Sequence, residues 1–413
     1  MIRSTRLLSI CFCGFCLAAQ VSAQKFIRNI RTAMNAGKLD DAMKLVETCE
    51  ADSTLEDKFK IYVWGLKVQQ RINDAENEKI YLKKECDTLR LFNSTKSIFD
   101  YSLKAYEAGV AARKDSLRLK HRLCARLWNY YPNLAIACHY FYEKKDYETA
   151  LQFVNTYIGT AESPLFVNDP LPLRSQLHLP VLAYLRIKTC FQLERFDEVL
   201  NDADLALQDE LHLGSTLRYL ALASFRAGRM EQYVKFLYQG LREAPGAAFF
   251  YSRLSDYYMR SDQLERSMVL TDSLLSVRPS SAVYLFGKSY ILMKMKRYEE
   301  SILVADSVLA LDSEWNEAYY NVGACYCNLA AEALRVDPVD VQQYKEKKRR
   351  VRTYYEKALP YLETYRERCP DRMRQWGPLL YRVYLNLNMG DAFDEISRML
   401  GGHYGRSPHA NGQ

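Results

Sequence analysis

Histidine and cysteine side chains can bind a metal ion, and both can take part in catalysis. The six histidines are scattered and form no His-Glu-x-x-His zinc motif: His121, His139, His178, His212, His403 and His409. The chain also lacks the serine elbow Gly-x-Ser-x-Gly, the phosphate loop Gly-x-x-x-x-Gly-Lys-Ser/Thr and the glycine fingerprint of dinucleotide-binding folds. The sequence therefore predicts a protein that is not an enzyme and that holds no metal or cofactor.

The cysteines fall into two groups. Three of the eleven precede Gln24, and the others follow it: Cys49, Cys86, Cys124, Cys138, Cys190, Cys325, Cys327 and Cys369. An even number in this second group permits disulfides in an exported chain, while their helical positions favour buried free thiols. Cys325 and Cys327 point to different faces of one helix, which excludes a zinc knuckle or a dithiol redox pair.

The elements that carry these residues follow a repeating pattern. It is clearest at Leu217–Pro245, where Ala221 precedes a turn at Gly228 and an apolar second helix ends near proline. The same arrangement of small and bulky residues continues from Phe249 to Pro279, at a period of about 34 residues. Bulky residues at i, i+3, i+4 and i+7 predict helix pairs that must stack to bury both faces.

This pattern resembles the tetratricopeptide repeat (TPR) family over most of the chain. The resemblance implies an all-α fold, an α-solenoid of stacked antiparallel helix pairs. The domain boundaries that follow are a signal peptide at 1–23, degenerate helix pairs at 24–133, repeats at 134–375, capping helices at 376–400 and a disordered tail at 401–413. Within the repeats, the four prolines of 158–180 predict an irregular connection. At Gly287, either the turn is longer or Ser289 takes the close-packing position.

The first residues predict export. Arg3 and Arg6 precede an apolar stretch at Leu7–Ala19 and a small-x-small cleavage site ending at Ala23. We therefore expect a bacterial periplasmic or outer-membrane-associated protein. The formal net charge of +7 includes the two signal arginines, so the remaining chain is only mildly basic. A nucleic-acid partner is not expected.

One repeat is interrupted by a helical insertion. Residues 328–357 predict two extended helices that form an antiparallel hairpin, with a helix start at Asp337-Pro338. The hairpin carries the densest basic run in the chain, from Lys345 to Arg352. This run is either a solvated helix face or a contact surface for an acidic partner or an anionic envelope surface. Its candidate binding residues are Lys347, Lys348, Arg349 and Arg350.

The TPR resemblance also implies a groove lined by the first helix of each pair. The residues placed there by analogy are His139, Tyr142, Arg218, Phe225, Arg226, Asp256, Met259, Arg260 and Tyr320. Their mixture of aromatic and arginine side chains suits a protein or peptide ligand. Leu222 replaces an asparagine of the family's chaperone-tail clamp, so that particular function is not implied.

These observations together predict a non-catalytic scaffold or adaptor in the bacterial envelope that binds a protein or peptide partner. The alternatives are an envelope binder of a cell-wall or small-molecule ligand, and an enzyme without a recognisable motif. A peripheral contact with a membrane is compatible with the sequence but is not predicted by it.

Overall fold

The computed structural model describes residues 24–55, 58–167, 178–244 and 248–404. The predicted signal peptide lies outside these ranges, as do residues 405–413 of the predicted tail. The chain divides into two compact units, Met1–Pro245 (unit 1) and Gly246–Gln413 (unit 2). All regular structure in the described ranges is helical, which confirms the all-α prediction. In those ranges no helix is both long and apolar enough to cross a bilayer.

Unit 1 contains twelve helices within its described ranges. Their bounds are α1 24–35, α2 Leu39–Ala51, α3 Lys58–Tyr81, α4 Thr88–Ala111, α5 Ser116–Trp128, α6 Tyr131–Glu143, α7 Tyr147–Glu162, α8 Leu179–Gln192, α9 Phe196–Asn201, α10 Ala203–Ala206, α11 Leu213–Arg226 and α12 Met230–Glu243. Most successive helices of the unit pack against each other, as α3 does against α4, α6 against α7 and α11 against α12, and α4 also contacts α6 and α7. Stacking of this kind lets a helix bury more than one face.

Within residues 248–404, unit 2 contains eight α-helices, each packed against the next along the chain. Their bounds are α13 Ala248–Arg260, α14 Leu264–Val277, α15 Ala282–Lys294, α16 Tyr298–Leu311, α17 Asn316–Arg335, α18 Val341–Arg368, α19 Met373–Leu387 and α20 Gly390–Tyr404. Trp376, Leu380 and Val383 on α19 are buried with Ile396 of α20. This last pair closes the apolar core of the unit.

The turns inside the helix pairs share one backbone geometry. A residue with positive φ recurs at equal intervals along the chain, at Glu194, Gly228, Asp262 and Lys296. After each of these residues the next N–H bonds back across the turn; the N–H of Arg297, for example, donates to a carbonyl of α15 at 2.9 Å. This bond satisfies a carbonyl that the helix end leaves open. The interval between the turns equals the repeat period that the sequence predicts.

Small residues bring the two helices of a pair together. Ser255 on α13 and Ser267 on α14 are both buried, with their hydroxyl oxygens 2.8 Å apart. Ser289 and Ser301 occupy the same positions one repeat later, on α15 and α16, and their hydroxyl oxygens lie 3.2 Å apart. Ser289 therefore takes the close-packing position, which is one of the two alternatives that the sequence left open.

Gly287 serves a different contact, between neighbouring pairs. A Cβ added at this residue would overlap the hydroxyl oxygen of Tyr251 and come within 2.7 Å of its Cζ. The missing side chain lets the buried ring of Tyr251 on α13 lie against the backbone of α15.

Several predicted boundaries differ from the structure. α7 continues to Glu162, beyond the expected start of the irregular connection at 158, because Ile158 and Ala161 remain buried in the unit 1 core. Pro180 lies in the first turn of α8, where proline is tolerated. The capping pair runs from Met373 to Tyr404 rather than from 376 to 400.

The predicted hairpin is formed by α17 and α18. Val351 and Tyr355 on α18 share a buried cluster with Ala330 and Ala333 on α17. The alanines allow the two helices to approach closely. The start of α18 was wrongly predicted at Asp337-Pro338. The N-cap is Asp340, whose carboxylate accepts the N–H of residue 343 at 2.7 Å.

Candidate functional site

An open groove lies on the first-helix face of unit 2. It is formed by α13, α15 and the start of α17, and encloses about 490 Å³. We call it the unit 2 groove. Its lining residues are Ala248, Tyr251, Ser252, Ser255, Asp256, Met259, Val283, Phe286, Gly287, Tyr290, Trp315 and Glu317.

Aromatic rings form one wall of the unit 2 groove. Phe286 and Tyr290 are one turn apart on α15, and their ring centroids are 6.4 Å apart in a stacked arrangement. The ring of Trp315, just before α17, lies 5.5 Å from Phe286. All three side chains are half-buried, so each keeps some accessible surface. Such rings offer a large contact area at little cost in conformational entropy.

The base of the unit 2 groove is held in place by buried hydrogen bonds. The hydroxyl group of Tyr251 is 2.9 Å from that of Thr271 on α14. Burial raises the pKa of the Tyr251 phenol to about 12, so it stays neutral over the physiological range. Because these groups are already paired, the base provides shape rather than free polar contacts.

Charge in the unit 2 groove is negative. Asp256 on α13 and Glu317 in the first turn of α17 are both exposed. The lining contains neither lysine nor arginine. At one end, Lys294 Nζ lies over the ring of Tyr290, 5.1 Å from its centroid. The groove therefore combines aromatic faces with two accessible carboxylates.

The predicted site residues of unit 2 are only partly brought together. Asp256 and Met259 line the groove, whereas Arg260 is exposed at the end of α13. Tyr320 is half-buried on α17, 5.3 Å from the ring of Tyr365, and its pKa is raised by burial and by nearby groups that include Tyr290.

Sequence reasoning missed the aromatic wall of the groove. The repeat period could have found two of its rings. Tyr290 follows Asp256 by one full repeat, and Phe286 precedes Tyr320 by the same interval. Residues one period apart occupy equivalent positions on successive first helices.

In unit 1, His139 and Tyr142 lie on α6, while Arg218, Phe225 and Arg226 lie on α11. Helix α8 packs against both of these helices and supplies residues that sequence reasoning missed. Lys188 Nζ is 4.4 Å from the ring centroid of Tyr142.

The surroundings of α6 shift the pKa values of His139 and Tyr142. Burial, followed by the charge of Lys188, lowers the pKa of His139. Burial raises the pKa of Tyr142 to about 12. On α11, Phe225 packs against Tyr233, at 5.3 Å, and the two arginines are exposed. The unit 1 residues thus lie on two separate helices, and His139 lines an open depression on α6 together with Ile136 and Tyr140.

The basic residues of the hairpin differ in role. Lys347 Nζ donates to the carbonyl oxygens of Leu334 and Val336, at 2.7 and 2.8 Å. It therefore closes the C-terminal end of α17, a structural role that the sequence did not predict. Lys348 lies over the ring of Tyr344. The other two predicted residues, Arg349 and Arg350, are exposed.

The cysteines of the described ranges are free, and six of these eight are buried. Cys86 and Cys369 are partly exposed. Burial raises the pKa of Cys325 to about 11 and that of Cys327 to about 12. Within the described ranges no group of three or more His, Cys, Asp or Glu side chains could hold a metal ion.

The helix pairs and the regular spacing of their turns define the class of protein: an α-solenoid of tetratricopeptide type, as the sequence resemblance predicted. No family model matches the chain, and no curated protein matches it.

Several solved structures are similar to this chain. The C-terminal part of a TPR repeat-containing protein from Cytophaga hutchinsonii has 10% identity and a TM-score of 0.45, covering 66% of this chain and 95% of that one. A TPR repeats protein from Bacteroides fragilis has 15% identity and a TM-score of 0.30, covering 65% and 98%. YrrB, described as a TPR protein with an unusual peptide-binding site, has 15% identity and a TM-score of 0.32, covering 47% and 88%.

Proposed function

We propose that this protein is a non-catalytic binding scaffold that holds a segment of a partner protein in the unit 2 groove. The observation that carries the proposal is the groove itself, in which three accessible rings face two exposed carboxylates over a base of satisfied hydrogen bonds. Aromatic residues that surround a concave surface contribute most of the energy of typical interfaces. The groove is open rather than enclosed, which suits a segment of a larger partner.

The lining also favours a particular ligand chemistry. Asp256 and Glu317 attract a lysine or arginine, and the rings of Phe286 and Trp315 accept a cation or an apolar side chain, whereas the ring of Tyr290 already carries Lys294. Both carboxylates are exposed, so each ion pair contributes modestly and mainly selects the sign of the ligand charge. We propose a peptide segment that carries a basic residue next to an aliphatic or aromatic one.

The proposed location is the bacterial envelope. It rests on the basic start, apolar stretch and small-x-small site of residues 1–23. Export of a fusion that carries these residues, with cleavage after Ala23, tests this part separately from binding.

The groove is tested with phage-displayed random peptides of about 12 residues, selected on the full chain. Enriched peptides are synthesised with a fluorescent label and titrated by anisotropy. The test variant is Asp256→Arg/Glu317→Arg. The matched control is Glu265→Arg/Glu299→Arg, which reverses two exposed charges on second helices of the same unit.

We expect enriched peptides to contain lysine or arginine beside an apolar residue. The groove variant should bind them at least about tenfold more weakly, which corresponds to about 1.4 kcal/mol, while the control binds as wild type does. Equal binding by the groove variant, or selection of acidic peptides, would contradict the assignment.

A further inference from the structure

We propose that the tip of the α17–α18 hairpin docks on an anionic phospholipid bilayer. The hairpin tip is defined as residues 334–345, the end of α17, the connecting loop and the first turn of α18. In this proposal the apolar side chains of the loop enter the headgroup region, and the basic residues of α18 meet lipid phosphates. The site is separate from the unit 2 groove and does not depend on it.

The hairpin tip presents a run of exposed apolar side chains. Val336, Val339 and Val341 are 58%, 88% and 71% exposed, and Leu334 and Tyr344 are also exposed. All five lie within one short stretch of the chain, residues 334–344, at the end of the hairpin. Solvated loops normally carry polar residues, and an apolar patch of this kind marks an interaction site.

The loop is held rigid by internal hydrogen bonds. Asp340 caps the start of α18, and the side chain of Gln343 accepts the N–H of Val339 at 3.0 Å. From the following turn of α18, the amino group of Lys347 donates to the carbonyls of Leu334 and Val336. These bonds satisfy polar groups at the ends of both helices. Moving the tip out of water therefore leaves fewer backbone groups without a partner.

Basic side chains follow the apolar patch along α18. Residues 345–352 include six lysines or arginines and one glutamate. Lys345, Lys348, Arg349 and Arg350 are exposed, and Arg349 approaches the glutamate, Glu346, only to 3.7 Å. The loop itself adds two carboxylates, Asp337 and the capping Asp340. The excess of positive charge thus lies one to two turns behind the apolar tip.

The combination of side chains favours a bilayer over a folded protein partner. Exposed valines at the end of the hairpin can enter a deformable headgroup layer without a preformed pocket, and stable peripheral binding requires an apolar and a basic contribution together. On α18 the first buried residue is Val351, whereas α17 stays buried up to Ala333, two residues before its end. The part of the hairpin that can enter the headgroup region is therefore its tip, residues 334–345, which suits the shallow insertion of interfacial side chains.

The test is co-sedimentation of the full chain with sucrose-loaded vesicles. One set is phosphatidylcholine alone, and the other contains about 30% phosphatidylglycerol. The apolar variant is Val339→Asp/Val341→Asp, and the basic variant is Lys345→Glu/Lys348→Glu. The matched apolar control is Val269→Asp/Val277→Asp on α14, whose side chains are 68% and 77% exposed. Circular dichroism melts establish that each variant remains folded.

We expect the wild type and the α14 control to bind the anionic vesicles at least about tenfold more strongly than the neutral ones. Both tip variants should lose most of that binding. Retained binding by either tip variant, or no preference for anionic vesicles, would overturn the proposal.

Binding to a soluble acidic polymer, polyglutamate, is measured as well, because it would detect a site for an acidic protein. If the apolar variant binds polyglutamate as wild type does while wild-type vesicle binding is absent, the basic run serves an acidic protein and the bilayer assignment is wrong. Peptide binding by the groove should be unchanged in all tip variants, which separates this proposal from the proposed function.

Discussion

Replacing Gly287 by alanine should destabilise the protein, although alanine is normally preferred over glycine within a helix. The residue lies inside α15, where replacement by alanine ordinarily stabilises a helix by about 1 kcal/mol. A Cβ here would overlap the hydroxyl group of Tyr251, which is buried and hydrogen-bonded to Thr271. Because the tyrosine ring is buried, Gly287→Ala must displace α15 from α13 or break that hydrogen bond.

The expected magnitude follows from three contributions. Overpacking a well-packed core costs about 1–3 kcal/mol. Loss of the Tyr251 hydrogen bond adds about 1 kcal/mol. The helix preference of alanine offsets about 1 kcal/mol. We therefore expect Gly287→Ala to lower the free energy of unfolding of unit 2 by about 1–3 kcal/mol.

The control for Gly287 is Gly159→Ala on α7. A Cβ at that glycine would meet no atom within 4 Å, so we expect unchanged or slightly higher stability. Urea unfolding followed by far-UV circular dichroism gives both values. In a double-mutant cycle, Tyr251→Phe should partly rescue Gly287→Ala, because it removes the overlapping oxygen. Strictly additive effects, or a Gly287→Ala variant as stable as the wild type, would refute the packing argument.

Three further predictions follow from particular side chains. Lys347→Met should lower the free energy of unfolding in urea by about 1 kcal/mol, because two charged hydrogen bonds are lost. The control Lys345→Met should change it by no more than about 0.5 kcal/mol. Equal effects of the two substitutions would contradict the capping role of Lys347. Hydrogen bonds from a neighbouring lysine and from a backbone N–H lower the pKa of the buried Glu76 carboxyl in the folded protein. The ionised carboxylate therefore stabilises the fold fully above the ordinary glutamate pKa. This stabilisation is lost as the pH falls through the lower pKa of the folded state. Glu76→Gln should therefore destabilise by about 1 kcal/mol at pH 7, and the difference from wild type should shrink below about pH 4; a difference that stays constant with pH would argue against it. Cys86 should react with iodoacetamide at pH 8 at least about tenfold faster than Cys325, because burial raises the pKa of the Cys325 thiol to about 11. Peptide mass spectrometry measures both rates. Similar rates would contradict the burial of Cys325.

The contacts inside a helix pair could be predicted from the sequence. The arrangement of small and bulky residues from Phe249 to Pro279 predicts a close helix pair, and Ser255 and Ser267 make that contact. Helix ends were less predictable. Proline at 180 marked a break in the pattern, yet it begins a helix, because proline lacks only an N–H that the first turn leaves unused.

The composition of the unit 2 groove illustrates what the sequence left open. Asp256 and Met259 were predicted because they occupy first-helix positions of a recognisable repeat. Phe286 and Tyr290 come from the next repeat, whose register was uncertain around Gly287, and Trp315 comes from the start of the repeat after it. Their convergence depends on how closely α13 and α15 approach, which the contact between Gly287 and Tyr251 sets.

The sequence by itself determined the class of fold, because helix periodicity and turn spacing are encoded by residues that are close along the chain. The tertiary structure decided which equivalent residues face one groove, and it also decided that Lys347 closes a helix end while its neighbours remain accessible. These outcomes depend on side chains that meet across helices, and no local pattern specifies the distance between those helices.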